Sequence, residues 1–232
     1  MLQQATKTAG VPAEEFAGDE IAALRRARPG AGIYRRHLKR ALDLALGLVA
    51  APVVGPVVLA LALAVRADGG PAFYGQTRVG RGGRHFTCWK IRTMVPDADA
   101  RLETLLAEDP AARVEWDETQ KLRDDPRVTP VGRFLRATSL DELPQLWNIL
   151  RGEMSFVGPR PFTPDQTRLY HGSGYYGLRP GLTGFWQVGE RNDVSFAARA
   201  LDDARYAREI SFGTDLRTIL RTVRVVLRGT GR

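Results

Sequence analysis

The feature that most constrains this chain is an uninterrupted apolar run over residues 44–65. These 22 residues contain no charge, amide or hydroxyl. As an α-helix, at about 1.5 Å per residue, the run would be about 33 Å long, which is enough to cross the hydrocarbon core of a bilayer. The run is therefore predicted to be a membrane segment. It differs from a secretory signal peptide, because about forty mostly polar residues precede it and no clear small-residue cleavage pattern follows it.

The interior of the run and its flanks predict how it enters the membrane. Pro52 and Pro56 lie near its middle, and each removes a helix hydrogen bond, so a bend near Pro52 is expected. Basic residues flank both ends: Arg35, Arg36, Lys39 and Arg40 precede the run, and Arg66, Arg78, Arg81 and Arg84 follow it. Because positive flanks stay on the cytoplasmic side, both ends are predicted to lie there, as in a re-entrant hairpin. A proline-kinked helix that spans the bilayer once is the alternative.

Composition excludes several classes of protein and limits the kinds of binding partner that are expected. With 44% hydrophobic and 26% charged residues, the 232-residue chain has the composition of a folded protein. Its single cysteine, Cys88, rules out an intramolecular disulfide framework, and its three histidines lack metal-ligand spacing. The formal net charge of +8 predicts an anionic partner: a nucleic acid, a phospholipid surface or a phosphorylated substrate.

Three regions are predicted: a mobile cytoplasmic extension over 1–32, a membrane helix over 33–66 and a cytoplasmic domain over 67–232. The domain begins with a β-hairpin, whose strands at 72–79 and 84–94 are joined by the glycine-rich turn 80–83. Helical patterns follow at 98–107, 111–122, 141–151, 196–210 and 215–228. The last is a basic amphipathic helix, which suits a membrane interface or, equally, packing on the domain core. The predicted fold class is α+β, mostly helical, with a re-entrant membrane hairpin and interfacial amphipathic helices.

An acidic pair, Asp141 and Glu142, opens the predicted helix 141–151. Pro144 is tolerated best in a first helical turn, which places the helix start between Ser139 and Asp141 and turns Trp147 toward the core. Ser139 followed three residues later by Glu142 also forms a capping-box pattern, which needs no chemistry. On the residues alone, capping and chemistry both stay open.

Two groups of cations could bind phosphate. Alternation along the second strand puts Lys90 and Arg92 on one face, although a solvated strand face is the commoner explanation. Pro159 and Pro161 restrict the backbone on both sides of Arg160 and could orient its guanidinium toward a diphosphate. A plain surface turn would have a similar sequence.

Taken together, these segments resemble the bacterial sugar transferases known as monotopic phosphoglycosyl transferases. The similarity runs in order from about Arg35 to Gly231 and is carried by residues 39–40 with the apolar run, 76–80, 89–94, 125–132, 135–145, 152–161 and 179–187. It implies transfer of a sugar 1-phosphate from a UDP-sugar to undecaprenyl phosphate, with release of UMP. The implied location is the inner (cytoplasmic) membrane, with the catalytic domain, residues 67–232, on the cytoplasmic face. Segment 102–122 resembles enzymes that prime hexose-based polysaccharides, which favours UDP-galactose or UDP-glucose.

The resemblance also implies roles for individual residues. Asp141 would become phosphoglycosylated, Glu142 would orient a Mg²⁺ ion held by both carboxylates, and Arg136 would lie beside them. The residues assigned to substrate binding are Lys90, Arg92, Arg160, Pro161, Arg191 and Asp203. Where the family usually reads Val-Ser-Gly-Arg, this chain has Val188-Gly189-Glu190-Arg191, which leaves the role of Arg191 open. Membrane phospholipid is a further implied partner, and pairing as a homodimer stays open.

Two functions of other classes are alternatives to this one. A membrane-tethered nucleic-acid-binding protein would suit the basic charge, but no helix-turn-helix or RNA-binding signature is present, so no nucleic-acid partner is expected. A catalytically silent scaffold for polysaccharide assembly would keep the fold, and the intact Asp141–Glu142 pair speaks against it. The expected pathway is the priming step of exopolysaccharide, capsule or O-antigen synthesis.

Overall fold

The computed structural model describes residues 32–67, 69–119, 122–170, 172–189 and 196–227. Within these residues, helices dominate and the strands form two small two-stranded sheets. The predicted α+β, mostly helical class is confirmed. Residues 1–31 of the predicted amino-terminal extension lie outside the described part of the chain.

The apolar run forms one long helix, α1, over Lys39–Arg66, preceded by a π-helical turn at Tyr34–Leu38. The helical backbone continues through Pro52 and Pro56. Together, Tyr34–Arg66 make a 33-residue helix that is long and apolar enough to cross a membrane, judged by length and composition alone. The re-entrant path and the bend near Pro52 stay predictions.

Both ends of α1 are attached to the rest of the domain. Near its start, Asp43 is 4% exposed and accepts hydrogen bonds from the Ser155 hydroxyl (3.0 Å) and the Phe156 backbone N–H (3.1 Å). Near its end, Val65 is buried in a cluster with Ile91 and Leu135. The large apolar side chains exposed between these attachments are Leu46, Leu48, Val49, Val53, Val57, Leu59 and Leu63. The middle of the helix therefore presents an apolar surface to its surroundings.

The predicted hairpin is confirmed. Strand β1 (Phe73–Val79) pairs antiparallel with β2 (His85–Ile91), in a register that puts Arg78 and Lys90 on one face of the hairpin. In the connecting turn, Gly82 has a φ of 69°, a left-handed conformation that costs glycine little. The hairpin thus brings two cations together at its surface.

The remaining helices are α2 (Ala98–Glu108), α3 (Pro110–Thr119), α4 (Pro130–Thr138), α5 (Gln145–Arg151), α6 (Phe185–Val188), α7 (Phe196–Glu209) and α8 (Phe212–Leu227). Helices α2, α3, α7 and α8 confirm predicted helices, with small differences at their ends. Helix α4 is not among the predicted helices. Its start nevertheless has two common features of a helix N-terminus. Thr129 Oγ1 accepts a capping hydrogen bond from the Gly132 N–H (2.9 Å), and Pro130 takes the first helical position.

The predicted start of helix 141–151 is wrong. Ser139 ends α4 in the left-handed conformation, with a φ of 58°, and Leu140–Glu142 form a separate 3₁₀ turn before α5 begins at Gln145. The capping-box interpretation is also wrong, since the Ser139 side chain makes no capping hydrogen bond. Trp147, predicted to face the core, is 56% exposed.

A second sheet and an aromatic cluster position the chain after β2. Strand β3 (Ser155–Val157) pairs in parallel with β4 (Gly181–Thr183). A separate hydrophobic cluster consists of Val79, Phe162, Tyr170, Tyr175, Ala200 and Ala204. Because Phe162 is fully buried in this cluster, the loop that follows β3 is anchored two residues after Arg160.

The close approach of α4 to the chain leaving β2 can be tested with a glycine pair. A Cβ added to Gly132 would lie 2.0 Å from the backbone oxygen of Thr93. We expect Gly132→Ala to destabilise the protein by about 1–3 kcal/mol, because a backbone carbonyl must shift. The matched variant Gly213→Ala in α8, where nothing lies within 4 Å, should be neutral or slightly stabilising. Thermal unfolding of both variants in one detergent measures the difference, and equal midpoints would contradict the close approach.

Candidate functional site

The acidic pair lies in the 3₁₀ turn between α4 and α5. The left-handed Ser139 ends α4 and redirects the chain, so Asp141 and Glu142 follow at once in a tight turn. Asp141 is 8% exposed and Glu142 is partly buried. Two adjacent carboxylates are thus held largely out of water, which requires nearby positive groups.

Two cations share the Glu142 carboxylate. Its Oε1 accepts hydrogen bonds from Lys90 Nζ (2.8 Å) and Arg160 Nη2 (3.1 Å). Burial alone would raise the pKa of Glu142, but the charges of Arg160 and Lys90 and their hydrogen bonds outweigh it and hold the pKa at about 2. Glu142 is therefore ionised at neutral pH and fixes both cations beside it.

Asp141 is paired less closely. Its Oδ2 lies 3.6 Å from Lys90 Nζ. Burial raises the pKa of Asp141 above its usual value, and the charges of Lys90 and Arg136 oppose this rise while that of Glu142 adds to it. A more basic and less tightly paired carboxylate is the better nucleophile, so Asp141 suits that role better than Glu142 does.

Arg136 lies within electrostatic range of Asp141. It lies in the last turn of α4, and its charge interacts with Asp141 and Asp125. Its Nε donates a hydrogen bond to Thr93 Oγ1 (2.9 Å). One side of this guanidinium is therefore fixed by the segment that follows β2.

A small cavity lies next to Glu142. Its lining residues are Arg78, Cys88, Lys90, Glu142, Gln145, Arg160, Pro161 and Gly181. Arg78 is not among the predicted site residues, although strand alternation in the predicted hairpin would have placed it on the same face as Lys90. Arg78 Nη1 donates a hydrogen bond to the Pro161 carbonyl (3.1 Å). Three cations around one cavity suit an anionic ligand such as a phosphate.

Arg92, predicted to share a phosphate site with Lys90, has other partners. It is 7% exposed, and its guanidinium donates to the carbonyl oxygens of Pro71 (2.6 Å), Met94 (2.6 Å) and Val65 (3.2 Å). These bonds tie the segment after β2 to the last turn of α1. The contacts of Arg92 are thus structural, and its substrate-binding role stays a prediction without support from them.

Of the other two predicted binding residues, Asp203 is not among the residues that line the cavity, and Arg191 falls in a part of the chain that is not described. Asp203 in α7 is 3% exposed and accepts a hydrogen bond from the Tyr170 hydroxyl (3.0 Å). Burial raises the pKa of Asp203 to about 7, although the nearby Arg199 charge and the Tyr170 bond lower it.

The acidic pair fits a magnesium ion only together with a phosphate ligand. Mg²⁺ usually binds one or two carboxylates, completed by water and substrate phosphates, and Asp141 and Glu142 supply two carboxylates beside the cavity. Among the described residues, no larger group of His, Cys, Asp or Glu gathers at any point. The donor set therefore suits an ion that arrives with, or is completed by, a phosphorylated substrate.

Comparison with known proteins identifies the family. The family model for bacterial sugar transferases matches residues 34–229. The chain is 43% identical over 233 residues to the exopolysaccharide production protein ExoY of Rhizobium meliloti, an alignment that covers 99% of each chain. The chain belongs to the bacterial sugar transferase family, which confirms the resemblance drawn from its motifs.

Other relatives carry names that describe a reaction. The undecaprenyl-phosphate galactose phosphotransferase of Salmonella typhimurium is 46% identical over 198 residues, covering 84% of this chain and 42% of the relative. The UDP-glucose:undecaprenyl-phosphate glucose-1-phosphate transferase of Caulobacter vibrioides is 38% identical over 210 residues, covering 84% of this chain and 73% of the relative. The chain thus spans less than half the length of some curated relatives that it matches.

The buried Asp203 carboxyl predicts how stability depends on pH. Its pKa is about 7 in the folded protein against an ordinary 3.8, so the folded state holds the proton more tightly. This contribution to stability is complete below about pH 3.8 and is lost as the pH rises through 7. We expect the unfolding midpoint of the wild type to fall relative to that of Asp203→Asn between about pH 4 and 7, and to level off above pH 7. The exposed Asp99→Asn variant should follow the wild type, and parallel curves for wild type and Asp203→Asn would contradict the prediction.

Proposed function

We propose that the chain transfers a sugar 1-phosphate from a UDP-sugar to undecaprenyl phosphate and releases UMP. The observation that carries the proposal is the buried pair Asp141–Glu142, held among Lys90, Arg136 and Arg160. A carboxylate that attacks a diphosphate must approach another anion, and fixed cations offset that repulsion. The names of the Salmonella and Caulobacter relatives support the lipid acceptor and the sugar donor.

The proposed reaction has two steps. In the first, a carboxylate oxygen of Asp141 attacks the phosphorus that carries the sugar, and the bond from that phosphorus to the bridging oxygen breaks. UMP leaves, and the sugar phosphate stays on Asp141 as a mixed acyl phosphate. In the second, an oxygen of the lipid phosphate attacks the same phosphorus and the Asp141 carboxylate leaves. The lipid product then carries the sugar on a diphosphate.

The cavity residues have separate proposed tasks. Arg160 has a planar guanidinium whose N–H groups suit a phosphate. Arg78 donates a hydrogen bond to the carbonyl of Pro161, the residue after Arg160. Lys90 lies between the two carboxylates and can contact both substrate and nucleophile. Glu142 positions Lys90 and Arg160. A Mg²⁺ ion held by Asp141 and Glu142 would neutralise charge on the diphosphate.

Galactose or glucose is the proposed sugar, and the priming step of exopolysaccharide, capsule or O-antigen synthesis is the proposed pathway. The names of the relatives support both, since they mention galactose, glucose and exopolysaccharide production. A silent scaffold is the rival function. It would have no use for a nucleophile set among ordered cations, so the geometry favours the enzyme.

We further propose that α1 enters and leaves the membrane on the cytoplasmic face of the inner membrane. A straight helix of 28 residues would be about 42 Å long, yet Asp43 near its start and Val65 near its end both contact the same domain. A domain on one side of a bilayer holds both ends most simply if the helix dips in and returns. The exposed apolar side chains of its middle would then contact membrane phospholipid.

Helix α8 supports an interfacial position for the domain. Its Ile219 packs on the domain core, whereas other apolar side chains of the helix face outward. The exposed ones are Phe212, Leu216, Leu220, Val223 and Val226. Arginines at 217, 221 and 224 accompany them, a combination that suits the headgroup region of an anionic membrane.

Cysteine labelling tests the proposed topology. Ile33→Cys and Ala67→Cys, each in a Cys88→Ala background, place exposed thiols just outside the two ends of the apolar helix. We expect an impermeant reagent added to spheroplasts to label neither thiol, and to label both after the membrane is permeabilised. A spanning helix would expose one of the two sites to the reagent, so labelling of a single site in intact spheroplasts rules out the re-entrant path.

Replacement of the proposed nucleophile tests the mechanism. Asp141→Asn keeps the shape and removes the charge, so we expect transfer to fall by at least about a thousandfold while the protein stays folded. Wild-type protein incubated with UDP-sugar labelled in the sugar, with Mg²⁺ and without lipid, should release UMP and retain label on Asp141. The exposed Asp99→Asn variant serves as the matched control. Wild-type turnover in Asp141→Asn would show that the lipid phosphate attacks directly.

A further inference from the structure

One residue outside the cavity contacts both ends of the helix that carries Arg136. Thr93 follows β2 and is 8% exposed. Its backbone oxygen accepts a hydrogen bond from the N–H of Thr129 (3.1 Å), the residue that caps the start of α4. Its side-chain Oγ1 accepts one from Nε of Arg136 (2.9 Å), in the last turn of α4. A single residue thus sets both the position of the helix and the direction of its cation.

The backbone of Thr93 has little freedom to move. Its oxygen is so close to α4 that a Cβ at Gly132 would lie 2.0 Å from it. The preceding residue, Arg92, is bonded to three carbonyl oxygens, among them that of Val65 in the last turn of α1. The hydroxyl of Thr93 is therefore a fixed acceptor, able to orient a side chain bonded to it.

Arg136 has two carboxylates within electrostatic reach, and only one of them belongs to the site. Its charge interacts with both Asp125 and Asp141. Asp125 is already paired with Arg127, through bonds of 2.8 and 2.7 Å. Without a fixed bond at Nε, the flexible arginine side chain could divide its time between these two carboxylates.

We propose that Thr93 is a positioning residue for the transfer reaction, whose hydroxyl holds the Arg136 guanidinium beside Asp141. This inference rests on the proposed function, in which Asp141 is the nucleophile. Arg136 does not line the cavity that Arg78, Lys90 and Arg160 share. Loss of its orientation should therefore slow the chemical step more than it weakens binding of the donor.

Two substitutions at Thr93 distinguish the effect of the hydroxyl from the effect of the rest of the side chain. Thr93→Val keeps shape and backbone contacts but removes the acceptor, and we expect kcat to fall about tenfold with the donor KM within about twofold. Thr93→Ser keeps the hydroxyl and should recover most of the kcat. Thr104→Val is the matched control, because it removes the hydroxyl of an exposed helical threonine bonded to the Ala100 carbonyl.

The kinetic result is combined with a direct observation of the arginine. With ¹⁵N-labelled arginine, the Nε–H of Arg136, assigned by its loss in Arg136→Lys, should exchange slowly in wild type and Thr93→Ser and rapidly in Thr93→Val. Unchanged kcat or unchanged exchange in Thr93→Val overturns the role of Thr93, as does a Thr93→Ser variant as impaired as Thr93→Val. A wild-type protein that transfers no sugar phosphate overturns the proposed function instead, and the exchange rates still decide whether Thr93 holds Arg136.

Discussion

The ion pairs of Glu142 with Lys90 and Arg160 join three separate parts of the chain: β2, the turn before α5 and the loop after β3. An ion pair this buried adds little stability by itself, because desolvation offsets the attraction, but loss of one partner leaves an unpaired buried charge. The main effect of these ion pairs is therefore to hold the three parts of the chain in position relative to one another. The ion pairs also occupy the cations that would otherwise bind Asp141 tightly, so the neighbouring carboxylate stays 3.6 Å from Lys90 and more basic than usual.

The balance of charge around the pair follows from this arrangement. Two carboxylates are surrounded by four cations, Arg78, Lys90, Arg136 and Arg160, so the described site carries an excess of positive charge. In a partly buried cavity that excess acts more strongly on a ligand than it would in water. A diphosphate is an anion that such a site would bind, and on the proposed function it is also the group that must be attacked.

The β-hairpin and most of the longer helices can be predicted from sequence, and the local geometry of the site cannot. The β-hairpin follows from alternation around a glycine-rich turn, and α8 from its apolar stripe. Helix α4 was not predicted because its nine residues, which include Gly132, are too few to show a clear helical periodicity of apolar residues. Family motifs locate Asp141 and Glu142, but their 3₁₀ turn after a left-handed Ser139 depends on packing that no local pattern contains. The contacts of Arg92 could not be predicted for the same reason, because two of its three carbonyl partners, Pro71 and Val65, are distant in sequence.

Two adjacent residues connect the end of the apolar helix to the site. Arg92 bonds to the Val65 carbonyl of α1, and Thr93 bonds to Arg136 beside Asp141. A shift of α1 along the membrane normal would therefore be passed to the site through these hydrogen bonds. A lipid phosphate stays at the bilayer surface, since its hydrocarbon chain cannot follow it into water. On the proposed re-entrant path, the depth of α1 would thus set the height at which Asp141 meets that phosphate.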